Sequence, residues 1–142
     1  ENSMVINDGQ PKYCVERAMH ILNRHKKAIN GAKVLVLGVA YKQDIDDYRE
    51  SPAIRVIKEL REVGAEVSYY DPWVKEFKNM YGQSGKSIPE LTPEVLSGAD
   101  LVMITCAHTN VDYDMVQRCA KVIFDTKNVM KGIQNRSNIE VL

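Results

Sequence analysis

The segment Lys33-Val-Leu-Val-Leu-Gly38 constrains the fold of this chain more than any other. It is apolar at every position from 34 to 37 and closes on a glycine. A run this short and continuous reads as a strand buried on both faces, as in a parallel sheet covered by helices on either side. Residues 39–50 form a charged loop. Ser51-Pro52 then places an N-cap residue ahead of a proline at the first helical position. Ala53, Val56, Ile57, Leu60 and Val63 follow at helical spacing until Gly64. Glu66-Val-Ser-Tyr-Tyr70 alternates as a strand that Asp71-Pro72 ends. Together these pieces form a β–loop–α–β unit, whose crossover between parallel strands is right-handed.

The flanking segments repeat the alternation. Upstream, Val15, Ala18, Met19 and Leu22 make one apolar stripe. A helix is expected from Pro11 to about Lys27, capped by Asp8 and ending in basic residues that suit the negative end of its dipole. Trp73 to Met80 is expected as a short helix and residues 82–85 as a loop. Thr92-Pro93 starts another helix that Gly98 ends. Asp100–Thr105 and Lys121–Phe124 read as buried strands, with a helix from Tyr113 to Ala120 between them. Ile139 to Leu142 is a candidate edge strand. The pattern predicts an α/β fold, a Rossmann-like three-layer parallel sheet preceded by one helix.

Composition narrows the function classes. The 142 residues carry 19 Lys+Arg against 19 Asp+Glu, so no strong positive field is available for nucleic acid. No apolar run approaches the ~18 residues of a membrane span. The three cysteines are scattered, without a C-x-x-C pair, which argues against a zinc site or a disulfide framework. A reducing cytoplasmic setting is expected. The chain starts Glu1-Asn2-Ser3-Met4, and a fragment of a longer protein is expected. His20 and His25 lack H-E-x-x-H spacing, so no metal site is expected.

In an open parallel sheet the ligand crevice lies beyond the carboxyl ends of the strands. Three such ends carry polar residues: 38–50, 105–110 and 125–128. The first is neither a G-x-G-x-x-G fingerprint nor a phosphate loop ending in G-K-[ST]. It nonetheless offers Gly38 for close backbone approach, Lys42 as a flexible point charge and Arg49 as a planar fork. These cations can bind an anion, or they can pair with Asp44, Asp46, Asp47 and Glu50 beside them.

The stretch Gly38-Val-Ala-Tyr-Lys-Gln-Asp-Ile-Asp-Asp-Tyr-Arg-Glu-Ser-Pro52 resembles the G-[LV]-[AT]-[FY]-K-x-[DN]-x-[DG]-D-x-R-x-S signature of the UDP-glucose/GDP-mannose dehydrogenase family. Gly64-Ala-Glu-Val-Ser-Tyr-Tyr-Asp-Pro72 and Asp125-Thr-Lys-Asn128 are similar to two further family motifs. The resemblance covers about residues 11–131. It implies an enzyme of three parts that oxidises a sugar C6 alcohol to a carboxylate, reducing two NAD⁺, through a thiohemiacetal on a cysteine. This chain resembles the third part, a Rossmann-like UDP-sugar-binding domain (31–142), preceded by the end of the central dimerisation helix (1–30). The wording of the motifs looks closest to the UDP-N-acetyl-hexosamine 6-dehydrogenases.

The resemblance further implies that Tyr41 and Lys42 contact the UDP-sugar, and that Arg49 reaches the NAD phosphates. It places Lys127 where many members carry arginine and His108 in a polar segment facing the crevice. Alternatives stand beside these roles: Tyr41 packed on the sheet edge, Lys127 on the surface, His108 in a solvated loop. No catalytic residue is expected, because no cysteine here matches the family's nucleophile. Cys14 and Cys119 read as core residues, and Cys106 as structural or pocket-lining. NAD would be bound mainly by an N-terminal domain, with a homodimer formed through the central helix. The competing reading is a free-standing nucleotide-binding or regulatory module.

Overall fold

A computed structural model of the chain describes residues 10–142. The Asp8 cap therefore lies outside the described residues. The elements run α1 (Gln10–Arg24), β1 (Lys33–Leu37), α2 (Pro52–Glu62), β2 (Glu66–Tyr70), β3 (Glu76–Met80), β4 (Gln83–Lys86), α3 (Pro93–Gly98), β5 (Leu101–Ile104), α4 (Tyr113–Cys119), β6 (Ile123–Asp125) and β7 (Ile139–Val141). Five strands form one parallel sheet in the order β2-β1-β5-β6-β7.

The continuous apolar strands are explained by what covers them. Val34, Val36, Leu101, Met103 and Phe124 face one core with α1 and α2. Leu35, Leu37, Val102, Ile104 and Ile123 face a second core with α3 and α4. Successive strand residues point to opposite faces, so a strand covered on both sides must be apolar throughout. Ser51 caps α2 by accepting from Ala53 N–H, and Thr92 caps α3 by accepting from Val95 N–H. The first helix folds onto this domain: α1 packs beside α2, Arg17 lies over the Phe124 ring and Arg24 pairs with Glu140 on β7.

Two expectations are corrected. The first helix stops at Arg24 rather than near Lys27: Lys26 takes a left-handed φ of 61° and Lys27 N–H turns back to the Leu22 carbonyl. This is a helix-terminating bond. Residues 73–86 contain no helix; β3 and β4 form an antiparallel hairpin. Asp71 accepts from the N–H groups of Trp73 and Val74, which turns the chain outward after β2. Tyr81 and Gly82 then both adopt positive φ, the backbone that a tight hairpin turn needs. Phe77 alone is fully buried from β3, against Tyr69 and Tyr48. Among the described residues no helix is long and apolar enough to cross a membrane.

Candidate functional site

Strand order locates the crevice. The chain leaves β1 toward β2 on one side and returns to β5 on the other. The sheet's switch point thus lies between the carboxyl ends of β1 and β5, where ligands of such sheets bind. A cavity of about 350 Å³ opens there, lined by Ala40–Gln43, Pro52, Thr105–Ala107 and Lys127. Three of the residues expected from sequence, Tyr41, Lys42 and Lys127, meet in it. Two ammonium groups above a partly apolar floor suit an anion that also carries a flat or apolar part.

Both lysines are mounted on loops tied down by buried aspartates. Asp71, 1% exposed, ends β2. Its Oδ2 accepts from Val39 N–H (2.7 Å), Ala40 N–H (3.2 Å) and the His108 ring (2.9 Å), and its Oδ1 accepts from Trp73 and Val74. Burial pushes its carboxyl pKa up, but the hydrogen bonds from His108, Val39 and Trp73 outweigh this and hold it below the usual carboxylate range. Asp125, fully buried at the end of β6, accepts from the N–H groups of Lys127, Val129 and Met130. Thr105 Oγ1 bonds the Gly38 carbonyl, and Thr126 Oγ1 bonds the Ile104 carbonyl. Gly38 has φ of 91°, and a Cβ there would stand 2.5 Å from the Cys106 Cβ, so only glycine lets β1 end this close to β5.

Two expected residues lie elsewhere. His108 does not line the cavity: it is 1% exposed and both ring nitrogens are used. Nε2–H donates to Asp71, and Nδ1 accepts the Asp44 N–H at 2.8 Å. Burial opposes charge on this ring, whereas hydrogen bonds to Asp71 and Cys106 favour it and lift its pKa to about 9. The Asp44 amide works against that lift, because Nδ1 cannot both accept a hydrogen bond and carry a proton; the loop geometry selects the neutral Nε2–H form. Arg49 is exposed and forks onto Asp47, with Nε–Oδ1 and Nη2–Oδ2 both 3.1 Å, outside the cavity lining. Sequence reading missed Asp71 and Asp125 as organisers. Both fall in stretches that resemble family motifs, but an aspartate at a strand's end marks a turn equally well, and nothing local names its hydrogen-bond partners.

Cys14 lies on the buried face of α1, where burial pushes its thiol pKa up to about 11, and Cys119 is half-buried. Cys106 lines the cavity, as expected for a pocket residue. Among the described residues no three His, Cys, Asp or Glu side chains could share a metal. The turn after β1 does not fit the pyrophosphate of NAD. Its first two free amides, Val39 and Ala40, are consumed by the protein's own Asp71 carboxylate, and α2 begins only at Pro52.

Comparison with known proteins fits this geometry. Residues 35–132 match the sequence profile of the UDP-glucose/GDP-mannose dehydrogenase family, UDP binding domain. The chain is 35% identical over 133 residues to the UDP-N-acetyl-D-mannosamine dehydrogenase of Methanocaldococcus jannaschii, covering 88% of this chain and 28% of that protein. It is 44% identical over 71 residues to the UDP-glucose 6-dehydrogenase of Haloferax volcanii, half of this chain and 15% of that protein. A solved structure of the UDP-N-acetyl-mannosamine dehydrogenase of Staphylococcus aureus superposes with a TM-score of 0.71 at 30% identity, covering 95% of this chain and 31% of that one. The chain thus spans less than a third of the length of these relatives. With the profile matched from the core of β1 through the loop that carries Lys127, the chain belongs to the UDP-glucose/GDP-mannose dehydrogenase family and corresponds to its UDP binding domain.

Proposed function

We propose that this chain is the nucleotide-binding part of an NAD-dependent nucleotide-sugar 6-dehydrogenase, and that its cavity takes the UDP portion of a UDP-sugar. The observation that carries this reading is the meeting of Lys42 and Lys127 across one cavity at the switch point of the sheet. Two cations on separate loops match the charge of a diphosphate, and Tyr41, half exposed beside Lys42, offers a ring face to the base or ribose. The domain's work is then positioning: it holds the diphosphate while a sugar C6 is oxidised elsewhere. Such placement can lower a barrier by up to ~7–11 kcal/mol in favourable systems.

NAD binding and the reacting cysteine belong, in this reading, to other parts of the protein. Arg49, whose guanidinium is exposed on the same loop, is assigned to the NAD phosphates across the domain boundary. The amphipathic α1 is assigned to the end of the helix through which two copies pair. The named relatives differ in their sugar, mannosamine or glucose derivatives. This agrees with a domain that reads UDP and leaves the sugar to the rest of a cytoplasmic enzyme.

The test is a titration of the chain with UDP, and separately GDP, followed by amide chemical shifts. Shifts at residues 38–50, 105–110 and 125–128, larger for UDP and needing much higher ligand in Lys42→Ala, are expected. No shift at millimolar UDP, or equal shifts in Lys42→Ala, would overturn the assignment.

A further inference from the structure

We propose that Asp71 and His108 form a buried clamp that positions the Tyr41–Gln43 segment for ligand, making them positioning residues of the nucleotide cavity. The inference rests on the reading of that cavity as a UDP site. Its basis is the order of contacts along the loop. Asp71 Oδ2 holds the amides of Val39 and Ala40, immediately before the three cavity-lining residues 41–43. His108 Nδ1 holds the amide of Asp44, immediately after them. The two holders are joined to each other by the His108 Nε2–Asp71 Oδ2 bond of 2.9 Å. One connected, solvent-excluded unit therefore fixes both ends of the segment that carries Lys42.

Further contacts keep the far end in register. Thr109, next to His108, donates its N–H and its hydroxyl to the Asp44 carboxylate, each at 2.8 Å. Asp44 itself sits at a φ of 60°, a conformation a non-glycine residue holds only when its surroundings fix it. Tyr113, on α4, caps the arrangement by donating its hydroxyl to the His108 carbonyl. Lys42 is exposed on a flexible four-carbon stem, so where its ammonium can reach depends on where this backbone is held.

Two isosteric amides separate positioning from mere stability. In His108→Asn the side-chain oxygen stands near the Nδ1 position and can still accept the Asp44 amide. In His108→Gln the side-chain NH₂ stands near Nε2 and can still donate to Asp71, but the Asp44 end is released. In the ligand-free chain, hydrogen exchange at the Asp44 amide should speed up at least about tenfold in His108→Gln and little in His108→Asn, with Val39 and Ala40 slow in both. UDP affinity should fall about tenfold in His108→Gln and less than about threefold in His108→Asn. That tenfold loss should vanish when Lys42→Ala is already present, because residues acting through one contact are not additive. A general loss of stability would affect both amides alike and would add to Lys42→Ala.

Unchanged Asp44 exchange in His108→Gln overturns the clamp whatever the ligand result. Wild-type UDP binding with an additive cycle overturns the positioning role alone. Absence of wild-type UDP binding overturns the reading of the cavity and this inference with it.

Discussion

Replacing Asp71 by asparagine should be among the most damaging single-atom changes available to this chain. The carboxylate receives five donors, three on Oδ2 and two on Oδ1, and is 1% exposed. An amide has one acceptor oxygen. If it faces Val39, Ala40 and His108, its NH₂ meets the amides of Trp73 and Val74; turned round, it meets the other three. At least two buried donors lose their acceptor in either orientation. Each unsatisfied buried donor costs ~1–3 kcal/mol, so losing two of them would by itself cost ~2–6. Asparagine no longer bears the desolvation of a carboxylate, which places the expected loss at about 3 kcal/mol.

Urea unfolding at pH 7 would measure it. With a slope of ~1.5 kcal/mol/M, the midpoint should fall by about 2 M at unchanged slope. The pH dependence supplies an independent arm. Asp71 has a folded pKa held below its unfolded value of ~3.9, so it contributes stability above that value and loses it as pH falls through the folded pKa. Asp44, Asp47 and Asp100 are also shifted down, but they are common to both proteins and cancel in the difference. The gap between wild type and Asp71→Asn should therefore narrow below pH ~4. A midpoint change under about 0.5 M, or a gap constant from pH 7 to 3, would refute the account of Asp71 as a charge-dependent hub.

Other perturbations test separate parts of the structure. Gly38→Ala combines a left-handed φ with a Cβ driven into Cys106 and should cost about 2–4 kcal/mol in the same urea assay. Lys127→Ala should weaken UDP binding by calorimetry about three- to tenfold, while Lys127→Arg keeps it within about twofold; equal losses would mean that charge at 127 is not what the ligand reads. In the native chain Cys119 should react first with a thiol reagent at pH 8, and Cys14 only on unfolding, because Cys14 is fully buried and its thiol pKa is pushed up to about 11.

The architecture was legible where one face-to-face rule governed it. Val34 to Leu37 and Leu101 to Ile104 are apolar throughout because helices cover both sides, and that burial is written directly in the run. The β3–β4 hairpin was not legible, since Val74, Phe77 and Tyr81 share a helical spacing and only Gly82 marks the turn. Tertiary contact of Phe77 with Tyr69 and Tyr48 decides that segment. In the site, the strand ends pointed to the loops 38–50 and 125–128, and the family resemblance singled out Lys127 among them. His108 could not, because its partners Asp71 and Asp44 stand 37 and 64 residues away in the chain. The same distance hid the role of Asp71, which the sequence marks only as a strand's end within a family-like motif.

The site loop poses an electrostatic question that its sequence leaves open: four carboxylates at 44, 46, 47 and 50 surround Lys42, the cation proposed to hold an anion. The fold removes two of them from the contest. Asp44 is turned onto the N–H and hydroxyl of Thr109, and Asp47 is bound by the fork of Arg49. Asp71, the carboxylate nearest the start of the loop, spends its charge on five internal donors. Lys42, by contrast, has no carboxylate within ion-pair distance among the described residues and shares the cavity with Lys127. Arg49 is thereby a screening partner in the ligand-free chain before it is anything else, so any contact it makes to a second phosphate ligand must first release Asp47. Because that ion pair is solvent-exposed and screened by water, the release is cheap enough for the approach of an anionic cofactor to drive it.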